Sequence, residues 1–288
     1  MVESCVGVLG ATSLVGNCLL RLLARSGWQV TAYSRQRVGH AGDGVVWKQL
    51  SLNHAKTVEE VTPYWICVAP IWVLPDYFAL LEASGARRVV VLSSTSRFTK
   101  VGSGDTAEQA TAAKLIDGET RLQAWAESRG IELVILRPTL IYGIGRDKNI
   151  SEIARFIRRF GFFPVLGEAN GLRQPIHAED VATACVSALQ SPDAANRAYN
   201  ISGGETLTYR EMVARVFAAL GRRPRLLTVP LWAFRLAVTM LRCLPRYRQW
   251  SAAMSERMNR DLVFDHTDAA RDIGFKPRGF VLTAGDVQ

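Results

Sequence analysis

Six short runs dominated by Val, Ile and Leu mark the first half of the chain, at residues 4–9, 29–34, 45–50, 64–69, 88–93 and 131–137. Apolar residues follow one another in these runs, as in strands buried on both faces. Longer segments of helical spacing separate them, so the pattern predicts an α/β fold, a doubly wound parallel sheet. The longest helix falls at residues 105–129, closed by Gly130, with Ala113, Ile116, Thr120 and Ala124 as its expected buried stripe. After Arg137-Pro138 the alternation gives way to loops, short helices and a basic stretch punctuated by Gly and Pro. The pattern places a sheet domain at residues 1–140, to which residues 170–203 return, and a smaller, mostly helical region at residues 141–288. No internal repeat or low-complexity linker divides them, so close packing is expected.

With 288 residues, 48% hydrophobic and 21% charged, the chain can bury a large core; disorder and fibrous architecture are excluded. Its formal net charge is +9, and residues 141–288 hold 21 of the 35 Lys and Arg against 14 of the 26 Asp and Glu. A field of that sign attracts phosphates, an anionic membrane face or nucleic acid. The five cysteines, Cys5, Cys18, Cys67, Cys185 and Cys243, are odd in number and form no C-x-x-C pair, which fits a reducing, cytoplasmic setting. The opening residues lack the pattern of a signal peptide. Residues 226–244 are the most membrane-like stretch, but Arg235 and Arg242 interrupt it, so no spanning helix is expected.

The first strand leads into Gly10-Ala11-Thr12-Ser13-Leu14-Val15-Gly16, with a helix immediately after. In a dinucleotide-binding fold the first glycine permits the tight turn, a small second residue lets the backbone approach a pyrophosphate, and the last lets helix and strand pack closely. Gly10, Ser13 and Gly16 fit these three tasks, and the helix N-terminus supplies amides and a positive dipole end. The second strand ends in Ser34 and Arg35 without a carboxylate. An acid there holds a ribose 2′-hydroxyl and repels a 2′-phosphate, whereas Ser34 and the Arg35 guanidinium can bind one; NADP(H) is favoured over NAD(H).

Four further segments, in order, carry a resemblance: Val91-Leu92-Ser93-Ser94-Thr95, Leu136-Arg137-Pro138-Thr139-Leu140-Ile141-Tyr142-Gly143, Arg173-Gln174-Pro175-Ile176-His177-Ala178-Glu179-Asp180-Val181-Ala182 and Tyr199-Asn200-Ile201-Ser202-Gly203-Gly204-Glu205. With the glycine turn they resemble the extended short-chain dehydrogenase/reductases, the NAD(P)-dependent epimerase/dehydratase superfamily of sugar-nucleotide enzymes. The resemblance implies a Rossmann-type sheet with a C-terminal substrate domain. It makes Thr95 the catalytic hydroxyl, sets Ser93, Ser94 and Pro138 beside the cofactor, puts Ala69 and Pro70 in the loop near the nicotinamide, and turns Arg173 towards nucleotide-sugar phosphates. Residues 257–278 resemble the closing element of such chains, less specifically.

The family's Tyr-x-x-x-Lys pair, in which the lysine and cofactor ribose lower the tyrosine pKa, has no counterpart here. If Glu119 marks the usual downstream acid, the two positions hold Thr111 and Leu115; if Lys114 is the lysine, the tyrosine position is Ala110. Lys114 at the ribose, Tyr142 as a phenol from the next strand, or Lys100 with Glu108 are the available replacements.

His177 has no metal-ligand partner at the required spacing and no G-x-S-x-G elbow occurs, so neither a metal site nor hydrolase chemistry is expected. Trp72 reads as an apolar wall or a packed side chain. Arg155, Arg158, Arg159, Arg222, Arg223, Arg225, Arg235, Arg242, Arg246 and Arg248 form a basic set. Leu231, Phe234, Val238 and Leu241 recur at helical spacing among them, as in a lid helix or one lying on an anionic membrane; no nucleic-acid module accompanies the charge. The leading reading is an NADP(H)-dependent enzyme acting at a carbonyl or alcohol carbon of a small molecule, a nucleotide-linked sugar or similar phosphorylated substrate. The alternative is a catalytically silent NADP(H)-binding sensor or assembly protein. Oligomeric state is not legible.

Overall fold

A computed structural model describes residues 5–36, 44–50, 61–230 and 257–287. Cys243, Arg246, Arg248 and the helical spacing of Leu231, Phe234, Val238 and Leu241 with Arg235 and Arg242 lie outside the described residues. The first part of the chain forms β1 (Cys5–Leu9), α1 (Leu14–Arg25), β2 (Gln29–Ser34), β3 (Val45–Gln49) and β4 (Tyr64–Cys67). A 3-10 segment (Ile71–Tyr77) runs into α2 (Phe78–Ala83), followed by β5 (Arg88–Leu92), the one-turn α3 (Ser96–Thr99), α4 (Thr106–Arg129) and β6 (Glu132–Pro138). Then come β7 (Ile141–Tyr142), α5 (Ile150–Phe160), β8 (Phe163–Leu166), β9 (Leu172–Arg173), β10 (Ile176–His177) and α6 (Ala178–Gln190). The remaining elements are β11 (Ala198–Ile201), β12 (Leu207–Thr208), α7 (Tyr209–Ala219), β13 (Leu226–Val229) and α8 (Thr267–Ile273).

Seven parallel strands join in the order β11-β6-β5-β4-β1-β2-β3. This is the Rossmann-type, doubly wound α/β sheet that the hydrophobic runs predict. The strand order turns back at β1 and β4, so the loops after these two strands flank the switch point where such sheets take ligands. The alternation of strand side chains divides the core in two. Val6, Val8, Val90, Leu92 and Val134 face α1, α6 and α8, whereas Trp65, Cys67, Val89 and Val91 face α4 and the 3-10 segment. A third cluster, with Tyr142, Ile153, Ile157, Val165, Phe217 and Phe280, gathers α5, β8 and α7 with the C-terminal residues. Three two-stranded ladders brace this part: β7 with β10, β9 with β12, and β8 with β13.

Helix α4 begins and ends as its sequence dictates. The Asp105 side chain accepts a 2.9 Å bond from the Ala107 amide, and Gly130 adopts the left-handed conformation that stops the helix. Its buried face differs from the expected one. Ala113, Thr120 and Ala124 are exposed and Ile116 is half-buried, whereas Ala112, Leu115, Glu119, Leu122, Trp125 and Ala126 are buried. A shift of one residue turns the helix face by about 100°. The large side chains Leu115, Leu122 and Trp125 set the packing, and Glu119 is drawn inward by two arginines.

Candidate functional site

At the C-terminal end of β1 the chain turns sharply. Gly10 has φ +82°, and a Cβ there would lie 2.4 Å from the Ala69 amide nitrogen, so only glycine lets this turn press against the chain leaving β4. The adjacent ladder is closed by Val68 N–H donating to Leu9 O at 2.9 Å. Ser13 is the N-cap of α1; its hydroxyl accepts from Gly16 N–H at 3.0 Å. The Asn17 amide donates to Thr12 O at 3.3 Å and Ser13 O at 2.9 Å, fixing the carbonyls of the turn. Thr12 is exposed, Leu14 half-buried and Val15 buried in the core. The first-turn N–H groups of a helix have no intrahelical partners, and α1 has no acidic side chain in its first turn to compete for them. A backbone-lined cradle of this kind fits the pyrophosphate of a dinucleotide.

Around it the strand ends contribute small side chains. Ser34 is buried, with its hydroxyl accepting from Gln36 N–H at 3.2 Å, and Arg35 beside it is exposed. Ala69 is half-buried and Pro70 exposed at the start of the 3-10 segment. Ser94 Oγ accepts from Ser96 N–H at 3.1 Å, which shapes the loop after β5.

Next to this rim lies a buried ion cluster. Glu119, 1% exposed, accepts from Ser93 Oγ at 2.5 Å and from Arg137 at 2.6 Å, and Arg97 also donates to it. Phe98 covers both guanidiniums, at 5.1 Å from Arg97 and 5.4 Å from Arg137. The cluster ties α4 to the ends of β5 and β6 and to α3. Arg97 is the part that sequence reasoning missed; an acid amid apolar helix positions, with arginines near two strand ends, was the available signal.

Thr95 is buried, and its hydroxyl and amide both meet Pro138 O, at 3.1 Å each. Thr111, one turn before Leu115, donates its hydroxyl to Ala107 O at 2.9 Å, and Leu115 is part of the core. Lys114 is exposed, with its ammonium 6.0 Å from the centre of the Trp72 ring. Lys100 and Arg257 both pair with Glu108, whose other oxygen accepts from Ser103 Oγ at 2.7 Å.

Tyr142 belongs to the third core cluster. It is 0% exposed, with ring edges against His177 and Phe280, and its hydroxyl has no hydrogen-bond partner. Burial, with the charges of Asp286 and Asp180, drives its pKa well above the ordinary phenol range. The phenol is enclosed by the side chains of its own core. His177 caps α6 by accepting Glu179 N–H at Nδ1, which leaves Nε2 to face Asp286 at 3.3 Å.

Arg173, expected to face phosphates, is 4% exposed and donates to the carbonyls of Leu172, Arg257 and Arg260, with Tyr209 against its guanidinium. Burial lowers its pKa to about 10. Its donors hold residues 257–260 in place and are turned away from solvent. Among the described residues no cluster of three His, Cys, Asp or Glu side chains is arranged to hold a metal, and no helix is long and apolar enough to cross a membrane.

The model of the NAD dependent epimerase/dehydratase family matches residues 77–202. A UDP-glucose 4-epimerase of Vibrio cholerae is 25% identical over 173 residues, 58% of this chain and 50% of the relative. A 2-alkyl-3-oxoalkanoate reductase of Stenotrophomonas maltophilia is 27% identical over 250 residues, 74% of this chain and 75% of the relative. The chain spans about half the length of the first curated relatives it matches. Among solved structures, a UDP-N-acetylglucosamine 4-epimerase from Methanobrevibacter ruminantium, in complex with UDP-N-acetylmuramic acid, superposes with TM-score 0.70 at 16% identity. That match covers 96% of this chain and 94% of the other, a likeness of fold.

Proposed function

We propose that the chain is a member of the NAD(P)-dependent epimerase/dehydratase superfamily, as the family match over residues 77–202 and the curated relatives support, that it binds NADP(H), and that it acts at a carbonyl or alcohol carbon of a nucleotide-linked sugar or similar phosphorylated small molecule. The observation that carries this reading is the Gly10–Ala69 approach beneath the capped N-terminus of α1. When bound, a nicotinamide cofactor supplies or accepts hydride at such a carbon. Gly10, Thr12, Ser13, Leu14, Val15 and Gly16 receive the pyrophosphate; Ser34 and the exposed Arg35 receive a 2′-phosphate. Ala69, Pro70, Ser93, Ser94 and Pro138 line the remaining rim.

Thr95 is the group assigned to the reacting oxygen. Its proton goes to Pro138 O, which leaves the hydroxyl lone pairs free to accept from a substrate alcohol. The active site is atypical, since Thr111 and Leu115 carry neither phenol nor ammonium. Lys114, solvent-exposed beside Trp72, is the remaining assisting cation. The engagement of Thr95, Tyr142 and Arg173 with the protein itself favours a second reading, a catalytically silent NADP(H) sensor or assembly protein.

Calorimetric titration of cofactor-free protein with NADPH, NADP+ and NADH tests the shared premise. NADPH is expected to bind in the micromolar range and more tightly than NADH, with Arg35→Asp inverting the preference; absence of binding to all three removes both readings. NADPH oxidation against a panel of keto substrates then separates them. Turnover that drops in Thr95→Val supports the enzyme, whereas binding without turnover supports the sensor.

A further inference from the structure

A groove of about 480 Å³ runs down the outer side of α1, between it and edge strand β3. Leu14, Asn17 and Arg21 of α1 form one wall, Trp47 of β3 another, and Ile144 with Arg146 close the end. Among the described residues no carboxylate lines it. Among the described residues neither arginine is ion-paired; the Arg21 guanidinium donates to Cys18 Sγ at 3.8 Å. The groove therefore combines an apolar floor, a half-buried indole and two guanidiniums without acidic partners. Its volume falls within the range of small-molecule sites.

The Arg146 wall is held in place. Ile144 has φ +56°, a conformation rare for a β-branched residue, and its amide donates to Asp286 Oδ1 at 3.0 Å. Asp286 is in turn fixed by the Thr283 amide at 2.9 Å and hydroxyl at 2.7 Å. The strained residue and the buried carboxylate that holds it anchor the backbone two residues before Arg146, with Gly145 between them.

We propose that this groove is a second ligand site, adjoining the cofactor turn at Leu14, for a small molecule with an aromatic or other planar apolar body and one carboxylate, sulfonate or phosphate. The body lies against Trp47 and the apolar floor, and the anion bridges Arg21 and Arg146. Asn17 links the site to the turn, since it lines the groove while its amide holds Thr12 O and Ser13 O. Occupancy is thereby coupled to cofactor affinity.

The test is a fluorescence titration of the whole chain with 1-anilinonaphthalene-8-sulfonate. Saturable one-to-one binding is expected, weakened at least about tenfold in Arg21→Ala/Arg146→Ala, which corresponds to about 1.4 kcal/mol. The thermal melt should stay at the wild-type value; if the double variant is unstable, the exposed single change Arg146→Glu carries the same expectation. Uncharged N-phenyl-1-naphthylamine should bind more weakly and without regard to the arginines. Equal probe affinity in the variants, or equal affinity of the uncharged analogue, overturns the proposal. Simple competitive displacement by NADPH also overturns it, because the probe then occupies the cofactor turn. The variant and analogue comparisons need no cofactor, so the site stands or falls apart from the NADP(H) reading.

Discussion

The two sides of the sheet's C-terminal edge treat their polar groups in opposite ways. At the β1–α1 turn, Gly10 removes side-chain bulk and leaves backbone donors at a helix N-terminus open to an anion. Across β5 and β6, polar side chains satisfy one another: Ser93, Arg97 and Arg137 converge on Glu119, and Thr95 on Pro138 O. Further out, Arg173 holds backbone carbonyls and Tyr142 is sealed in a core. The first side leaves backbone donors open to a ligand, and the second spends its polar groups largely on the protein. Backbone geometry can thus leave donors open at one edge while side chains of the motif segments at the other do structural work.

The largest test of this contrast is Glu119→Ala. Removing one member of a buried ion cluster leaves the others uncompensated, at a cost of about 3–5 kcal/mol. Urea unfolding should show a loss of that size, with Glu119→Gln in between. A loss below about 1 kcal/mol would mean that the cluster is not structural, and Ser93 and Arg137 would return as candidates for ligand contact.

Arg173→Ala comes next. It strips donors from the part-buried carbonyls of Leu172, Arg257 and Arg260; a fully buried carbonyl left unsatisfied costs roughly 1–3 kcal/mol. Relaxation of residues 257–260 towards water should hold the net loss to about 2 kcal/mol on the same unfolding scale. A phosphate-binding arginine would behave otherwise, raising KM with stability unchanged. That outcome would place Arg173 with the turn and not with the scaffold.

Asp286→Asn probes the clamp on Ile144 and His177. Burial pushes the Asp286 carboxyl up, but the Thr283 hydroxyl and amide, the Ile144 amide and His177 together draw its pKa below the ordinary value. A depressed carboxylate contributes stability above its unfolded pKa of about 3.9 and loses it as pH falls through the folded pKa. Wild type should therefore exceed the variant by about 1 kcal/mol at neutral pH, with the gap closing below about pH 4. A gap independent of pH would assign the effect to shape instead of charge.

Much of this contrast could be read from the sequence, for reasons that differ by region. Consecutive apolar residues in strands such as 88–93 and the caps Asp105 and Gly130 are local signals, so the sheet and its longest helix were legible. The turn was legible because its chemistry is carried by glycines at fixed spacing. The face of α4 was misread by one residue because the spacing of Ala and Ile says little about which side packs. Three-dimensional partners decided it, namely Leu115, Leu122 and the arginines that reach Glu119 from α3 and β6. Arg173 and Tyr142 lie in matching motifs, yet the carbonyls of residues 257–260 and the ring of Phe280, far along the chain, set their surroundings.

Tyr142→Phe is the smallest effect and the sharpest discriminator. The hydroxyl is buried without a partner, so its removal deletes a desolvated polar atom while keeping the ring contacts with His177 and Phe280. Stability should change by less than about 1 kcal/mol, in the stabilising direction, because an unsatisfied buried group already carries its desolvation cost. Cofactor affinity and any turnover should be unaltered. A tenfold loss of turnover with an unchanged melt would require the phenol to reach the reacting carbon. The β7 core would then have to open during catalysis, and the division between a ligand-facing edge and a self-satisfied one would fail at Tyr142.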